Sequence, residues 1–509
     1  MDTDRLASRF VVSAQPERMT TYAPFTGKPI ADLPLSTPHD VERAVTVARE
    51  VQPAWASRSI ADRARVVLRF HDLLLQRQHE ALDLVQLENG KSRASAFEEL
   101  AGVAAHARVV ARRAPGYLRP RRRAGAMPVA TRTVEYHHPK GVVGVISPWN
   151  YPLVLGASDS IAALLAGNAV VQKPDSQVPL TAAWLVDLIV EAGLPEQLWQ
   201  LVLGDGPTVG GAIVDTTDYV CFTGSTKTGR DVAQRAAARL VGASLELGGK
   251  NPMLVLHDAD IARTADSAVR ACFTSTGQLC VSTERIYVDE RVRDSFVAAF
   301  ADRVSAMRIG PGDDWAIDMG SLVSQRQLDA VTAHVDDAVA KGARVLAGGR
   351  VRPDLGPYFY EPTVLEDVSD DMAVCREETF GPVVTVGSFG TDDEAVAWAN
   401  DTEYGLNASV WTSDISYGRR LAERIQAGSV GVNDAYHATY GSFTSPMGGM
   451  KQSGLGRRHG REGILKYTDA QTVAVQRLIP LTAPPGISNE TWAGVFTTYL
   501  KWTKRLGMR

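Results

Sequence analysis

The sequence predicts an α/β protein in which two doubly wound α/β domains follow a helical lead-in. Three observations predict it. From residue 141 short β-rich runs alternate with helix-length runs, and strand–helix–strand repetition implies parallel strands joined by right-handed crossovers. A second series of the same kind begins near Asn251 and continues to about residue 450. At roughly 150 residues per domain, 509 residues leave room for about three domain-sized units, long enough to bury a core without disulfides or metals.

The elements follow in order. Residues 40 to 113 read as helices, with apolar residues at three- and four-residue steps in "DVERAVTVAREVQPAWA" and "IADRARVVLRFHDLLLQRQHEALDLVQLENG". The basic, Gly/Pro-broken stretch "RRAPGYLRPRRRAGAMPV" reads as a solvated hairpin or interface segment. No aromatic stacking platform accompanies it, which argues against nucleic acid. "GVVGVIS" is a buried-strand pattern, "LGASDSIAALLAGN" a helix ended by Gly167-Asn168, and "AVVQK" the next strand. "TAAWLVDLIVEAGLP" is a helix stopped by Gly193 and Pro195; "DYVCFTGS" is a strand running into a glycine turn; "RDVAQRAAARLVG" is the helix after it. "GDGPTVGG" at 204–211 lacks the acidic residue a dinucleotide fingerprint requires and reads as a turn. "PMLVLHD", "ADSAVRACFTS", "ERIYVDE", "VRDSFVAAFADRVSAM", "LDAVTAHVDDAVAKG" and "ARVLAGG" form the second series. No fixed-period repeat or low-complexity linker separates the two units, so they are expected to pack closely.

Composition narrows the class. Forty-five percent apolar and 22% charged residues with a formal net charge of −4 describe an ordinary globular chain with no pull toward nucleic acid. The four cysteines, Cys221, Cys272, Cys280 and Cys375, form no CxxC pattern or ladder, so no zinc site or disulfide framework is expected and a reducing compartment is the default. The N-terminus is not a secretory signal, and no run reaches the roughly 20 apolar residues that cross a bilayer, so the expected placement is cytoplasmic.

Six windows carry possible chemistry, each with a plainer alternative. In "ISPWNYP" the Asn150 carboxamide can donate to a developing oxyanion, or cap the following helix. In "QKPDS" Lys173 stands at a strand's carboxyl end, where nucleotides bind, or in an exposed turn. Ser176 occupies the place where a longer acidic side chain would meet a ribose 2′-OH. "FTGSTKTG" offers Gly224 and a helix start to a phosphate. In "LELGGKNP" Glu246 is either a buried carboxylate raised toward a general base's working range or a solvent-facing strand residue. Cys280 in "FTSTGQLCVSTERIYV" follows Gly277-Gln278 in a polar loop suited to a reactive thiolate, whereas the other three cysteines fit inert packing. "EETFGPV" puts Glu378 and Phe380 before a Gly-Pro turn.

Taken together and in this order, the windows resemble the NAD(P)-dependent aldehyde dehydrogenases over about residues 20 to 478. "PWNYP", "KP", "FTGSTKTG", "ELGGKNP", "GQLC", "EETFGP" and "PMGGMKQSG" carry the resemblance. It implies a Rossmann-like cofactor domain (1–120 and 141–251), a catalytic domain (252–450), a small β oligomerisation arm (121–140 and 451–479) making homodimers or homotetramers, and a separate tail (480–509). It implies that Cys280 is the nucleophile, Asn150 the oxyanion donor and Glu246 the base that activates water. Ser147, Trp149, Lys173, Ser176, Gly224, Ser225, Gly229, Glu378 and Phe380 would hold the cofactor. The neutral Ser176 points to NADP, with NAD possible.

Whole-chain similarity looks most like bacterial NADP-type succinate-semialdehyde dehydrogenases. The arginines that hold the substrate carboxylate in such enzymes are replaced here by Thr274 and Ser158, and Asp159 adds a negative charge next to the latter. That moves the carboxylate site to groups such as Ser453 or His437. The alternative substrate is a bulkier aliphatic or aromatic aldehyde in a tunnel lined by Trp149, Tyr151 and Met447. A non-catalytic nucleotide-binding relative would lack Cys280, Glu246 or Asn150, and a CoA-acylating enzyme would have no use for Glu246. The tail has an apolar stripe, Trp492, Val495, Phe496, Tyr499, Trp502 and Leu506, interleaved with Lys501, Lys504 and Arg505. Packing on the body or on a neighbouring subunit is expected ahead of a membrane surface.

Overall fold

The computed structural model describes residues 2–125, 131–477 and 482–507. Four helices, Pro38–Ala56, Ile60–Gln76, Gln78–Asn89 and Arg93–Leu118, lead into the first sheet. The last helix runs through Pro115 and Gly116, so the start of the basic stretch is helical; Arg121–Arg123 beyond it is a strand that pairs antiparallel with Thr133–Glu135. The "GDGPTVGG" stretch, expected as a turn, is likewise helical from Gly206: one π-helical turn, Gly206–Gly210, runs into the short helix Gly211–Thr216.

The first sheet has the spatial order Gly454–Leu455, Gly242–Glu246, Tyr219–Thr223, Val142–Ile146, Ala169–Lys173, Trp199–Leu201. All neighbours are parallel except the Gly454–Leu455 edge strand. Val142–Ile146 lies between strands reached by opposite windings, so the chain reverses direction there and opens a crevice beyond that strand's carboxyl end. The second sheet orders Arg344–Ala347, Thr363–Glu366, Val383–Phe389, Thr283–Asp289, Asn251–Val255, Asn407–Trp411 and Ser429–Val432, with only the first pair antiparallel. Strands such as Val142–Ile146 and Asn251–Val255 are buried on both faces, which explains their unbroken apolar runs.

Two helices of the first unit begin with proline and have no side-chain cap of their own, Pro152–Leu165 and Pro179–Glu191. Buried glutamates from the lead-in helices supply the caps. Glu99 accepts from the N–H groups of Leu153 and Val154, and Glu88 from those of Leu180 and Thr181. Carboxylates at these N-termini satisfy free donors and oppose the helix dipole. The lead-in helices therefore fix how the first sheet's helices start, including the one directly after Asn150.

A third, three-stranded antiparallel sheet joins Thr468–Gln476, Thr131–Pro139 and Arg121–Arg123. Its strands come from the two segments in which the arm is expected, of which residues 126–130 and 478–479 lie outside the described residues. Its second segment starts only at Thr468. Residues 454–455 instead extend the first sheet beside Glu246, and the helix Gly460–Leu465 packs on Arg93–Leu118. Residues 480, 481, 508 and 509 of the tail also lie outside the described residues. Its helix Asn489–Arg505 has no buried residue, and Trp502 remains 61% exposed, so the expected packing on this subunit's own body is not formed. Among the described residues no helix is long and apolar enough to cross a membrane.

Candidate active site

The site lies where the carboxyl edge of the first sheet meets the amino edge of the second. Asn150 follows Val142–Ile146, Glu246 ends Gly242–Glu246, and Cys280 precedes Thr283–Asp289. All three line one cavity of about 620 Å³.

Asn150 is 4% exposed, and its side-chain amide donates to the Gln278 carbonyl at 3.0 Å. The helix-capping alternative is thereby removed: Tyr151 is the N-cap residue, without a side-chain bond. The Asn150 carbonyl accepts from Lys91 Nζ at 2.7 Å, and Lys91 pairs with Glu99 at 2.9 Å, both wholly buried. The same ammonium lies 3.8 Å from the Tyr151 ring centroid. Lys91 and Glu99 are functional neighbours that sequence reasoning missed, because charged residues in helical runs read as solvent-facing.

Cys280 sits at the end of a strained turn. Ser275, Thr276 and Gly277 have φ of 53°, 59° and 68°, a left-handed run that costs about 1–3 kcal/mol per non-glycine residue. A Cβ at Gly277 would fall 2.1 Å from the Gly381 carbonyl oxygen. Gln278 secures the turn by accepting from the Val323 N–H at 3.0 Å. Beyond it, Asn251 Nδ2 holds the carbonyls of Cys280 and Ser282 at 2.8 and 2.7 Å. Burial, then the Glu378 and Glu246 carboxylates, push the thiol up to about 12, with Arg458 pulling the other way. Cys221, Cys272 and Cys375 are free thiols outside the cavity.

Glu246 is 6% exposed, so it does not face solvent, and its Oε2 has no partner among the described residues. Burial raises it to about 7, opposed by Arg458 and Lys466. A carboxylate tuned there can exchange a proton near neutrality.

The cofactor candidates gather along the crevice. Ser147 continues the strand by donating its N–H to Lys173 O at 3.1 Å, and its hydroxyl accepts from Gln172 at 2.9 Å. Lys173 is 5% exposed, not in an open turn, and burial lowers its pKa against the pull of Asp175 and Asp205. It has no ion pair among the described residues and donates only to Pro174 O at 3.2 Å. A buried cation without a partner anion suits an anionic or polyhydroxyl ligand. Ser176 contributes a neutral hydroxyl, donating to Gly204 O at 3.3 Å. Gly224 donates to Glu246 O at 3.1 Å, and Ser225 caps the helix Thr226–Ala238. Gly229 lets that helix approach closely, since a Cβ there would fall 2.4 Å from Leu247 Cδ2. Across the crevice Glu378 accepts from the Gly249 N–H at 2.8 Å and is raised to about 8, chiefly by burial and then by Glu284. Phe380, at φ 52°, meets Trp149 edge-on with ring centroids 5.5 Å apart. A cluster of a buried lysine, a helix N-terminus, an aromatic pair and a buried carboxylate fits a dinucleotide.

The substrate candidates divide. Tyr151 and Met447 line the cavity, as do Thr274 and His437, whereas Trp149 belongs to the crevice side. Ser453 does not line it. It is wholly buried beside the Gly454–Leu455 strand and its hydroxyl accepts from the Gly405 N–H at 2.9 Å. Asp159 adds no free negative charge either. Against the effect of burial, Arg458 at 2.6 Å and Lys466 at 2.9 Å hold it well below the usual carboxylate range. Arg458 is a third missed residue, 4% exposed and lining the cavity.

A sequence profile described as the aldehyde dehydrogenase family matches residues 10–473. The chain belongs to the aldehyde dehydrogenase family. It is 51% identical over 482 residues, 95% of this chain and 93% of the relative, to a Mycolicibacterium smegmatis protein provisionally named an NADP(+) succinate-semialdehyde dehydrogenase. It is 39% identical over 458 residues, 88% of this chain and 85% of the relative, to a Methylomonas 4,4'-diapolycopene aldehyde oxidase. The crystal structure of an NAD-dependent aldehyde dehydrogenase from Sinorhizobium meliloti superposes with a TM-score of 0.89 at 33% identity, covering 94% of this chain and 95% of that one. The two α/β domains of this aldehyde dehydrogenase are those of its family.

Proposed function

We propose that this aldehyde dehydrogenase oxidises an aldehyde to a carboxylic acid with NADP, and with NAD less well, through a thioester on Cys280. The observation that carries the reading is the convergence of Cys280, Asn150 and Glu246 on one cavity whose neighbouring crevice fits a dinucleotide. The Cys280 S–H bond breaks and its proton leaves for solvent by way of Glu246, the sulfur forms a C–S bond to the aldehyde carbon, and the Asn150 amide and the Cys280 N–H receive the oxyanion left as the C=O π bond opens. When bound, the nicotinamide supplies the hydride acceptor that turns this adduct into a thioester. Glu246 takes a proton from water, the oxygen bonds to the acyl carbon, and the C–S bond breaks to release the acid. Lys173, Ser225 and the helix start beyond Gly224 hold phosphate and ribose, Glu378 a ribose hydroxyl, and Trp149 with Phe380 the ring system. Neutral Ser176 next to the unpaired Lys173 supports tolerance of a 2′-phosphate, in line with the relative's name.

Succinate semialdehyde is the first substrate reading and rests on the relatives' names. Arg270, His437 and Arg458 are the basic residues that line the cavity, and with Arg458 held by Asp159, Arg270 is the one without a carboxylate partner among the described residues. His437 is already paired with Glu98. The cavity favours a second reading, a bulky apolar aldehyde. Phe97, Phe273, Trp315, Tyr440, Phe443 and Met447 line a volume larger than a four-carbon chain fills, and a similar protein is named a 4,4'-diapolycopene aldehyde oxidase.

A panel of aldehydes crossed with NAD and NADP, followed by reduced-cofactor absorbance, tests the proposal. Turnover with at least one aldehyde class and a higher kcat/KM with NADP are expected. No aldehyde-dependent reduction of either cofactor overturns it. The arm's outer strand Thr468–Gln476 is exposed along almost its whole length, including Val473 and Val475. An open edge of this kind invites pairing with a second copy, so the enzyme is proposed to be a homo-oligomer.

A further inference from the structure

The buried cluster behind Glu246 has more charge than the proposed mechanism uses. Asp159, on the helix after Asn150, accepts from Arg458 Nη2 at 2.6 Å, Lys466 Nζ at 2.9 Å and the Tyr467 hydroxyl at 2.7 Å. Arg458 Nη2 also donates to Thr223 Oγ1 at 3.1 Å, and Thr223 is the strand partner of Glu246. The Arg458 main chain is fixed as well, exchanging hydrogen bonds with Met447 at 2.8 and 2.6 Å. Next to Met447, Gly448 packs so closely that a Cβ there would lie 3.3 Å from Glu246 Oε1. Both Arg458 Nε and Glu246 Oε2 are buried without a partner among the described residues, and both residues line the catalytic cavity.

We infer that Arg458, moored by Asp159, is a positioning residue that lets Glu246 shed the proton it takes from water in thioester hydrolysis. This rests on the proposed role of Glu246. In that step one O–H bond of water breaks, its proton goes to Glu246, a C–O bond forms at the acyl carbon and the C–S bond to Cys280 breaks. Glu246 must then return the proton to solvent before the next turnover. Charge counting explains why it can. Arg458 and Lys466 carry two positive charges and Asp159 one negative, so the cluster presents a surplus cation to Glu246. Burial alone would trap the proton on a carboxyl in this place, and a nearby cation opposes that trapping.

The other charges facing the pair are accounted for. Arg457 acts on Glu246 in the same direction as Arg458 and Asp159 against it, while Glu378 and Glu246 both act on the Cys280 thiol. Tyr440 lines the cavity as a neutral phenol. His106 is held below its usual value and His459 well below it, chiefly by burial, so neither adds positive charge at neutral pH.

The test is the pH dependence of kcat in single variants of the full-length enzyme, with a second readout that needs no turnover. Arg458→Gln moves the acidic limb about one pH unit or more to the alkaline side, a roughly tenfold loss of rate on that limb. Asp159→Asn removes a negative charge instead and moves the limb the opposite way. Arg458→Lys keeps the charge and holds the limb within about half a unit. Alkylation of Cys280 by iodoacetamide shifts alkaline in Arg458→Gln as well. If the limb and the alkylation profile stay put in Arg458→Gln, or move equally in Arg458→Lys, the inference is overturned. A folded wild-type protein that reduces no cofactor with any aldehyde would instead overturn the proposed function.

Discussion

Lys91–Glu99 and Lys250–Glu284 are both buried ion pairs beside the site, one braced against each sheet, and they hold different things. In the first, Glu99 caps the helix after Asn150 and Lys91 grips the Asn150 carbonyl. In the second, Lys250 meets Glu284 at 2.5 Å, and Glu284 accepts from the N–H groups of Thr379 and Phe380, both at 3.0 Å. That pair stabilises the left-handed Phe380 on the cofactor side. Through the adjacent Asn251 it also reaches the carbonyl of Cys280. The first brace thus serves one group and the second serves two. Buried pairs of this kind add little net stability. Their value here lies in presenting a loop backbone in one conformation, and the comparison teaches that the oxyanion donor and the cofactor loop are positioned independently.

Breaking either brace gives the largest effect. Glu284→Gln and Glu99→Gln each leave a buried lysine unpaired, at a cost of about 3–5 kcal/mol in stability. Thermal melts of both should fall by similar amounts. Their kinetics should part: Glu284→Gln raises the cofactor KM and slows Cys280 alkylation, while Glu99→Gln lowers kcat with the cofactor KM nearly unchanged. An equal rise in cofactor KM in both variants would mean the braces are not independent.

The next effect isolates what the first brace presents. Asn150→Ala removes the oxyanion donor but leaves Lys91–Glu99 intact, since Lys91 grips the main-chain carbonyl. The expected loss is about a hundred- to a thousandfold in kcat, with a cost of about 1–3 kcal/mol in stability because the buried Gln278 carbonyl loses its donor. Turnover like the wild type's would sink the role given to this amide. Smaller again is Gly277→Ala on the nucleophile's side. The residue needs φ 68° and leaves no room for a Cβ next to Gly381. A loss of about 1–3 kcal/mol is expected, together with a raised cofactor KM, because Gly381 follows Phe380 directly. A destabilised variant with normal cofactor binding would separate the Cys280 turn from the cofactor loop.

The comparison also explains what the sequence could reveal. Asn150, Glu246 and Cys280 were legible because each stands at a strand end or in a polar loop between apolar runs, and their order restricts the fold. Lys173 and the Gly224 turn were legible for the same reason. The braces were not. Lys91 lies in "ENGKS" and Glu99 in "FEEL", where a charge looks solvent-facing, and only packing across residues 91 to 154 buries them. Asp159 read as a repelling charge because its partners lie about 300 positions away. Ser453 was misplaced because the short strand Gly454–Leu455 returns to pair with Glu246 and turns the hydroxyl toward Gly405. The tail's stripe was visible, but its helix buries no residue against this subunit.

The smallest effect tests the cofactor side without touching either brace. Ser176 is half-buried at the crevice and bonds only weakly to Gly204 O, so Ser176→Glu costs little stability. The new carboxylate would stand close to the place of a ribose 2′ substituent. Against a 2′-phosphate it adds like-charge repulsion, and against a 2′-hydroxyl it adds an acceptor. The KM for NADP should rise roughly tenfold or more, about 1.4 kcal/mol, while that for NAD holds or falls. Lys173 is present in both cases, so its attraction cancels in the ratio. Equal changes for the two cofactors would place the 2′ group elsewhere. A shift confined to NADP, with kcat and Cys280 alkylation unchanged, would assign cofactor choice to this one position and leave both braces out of it.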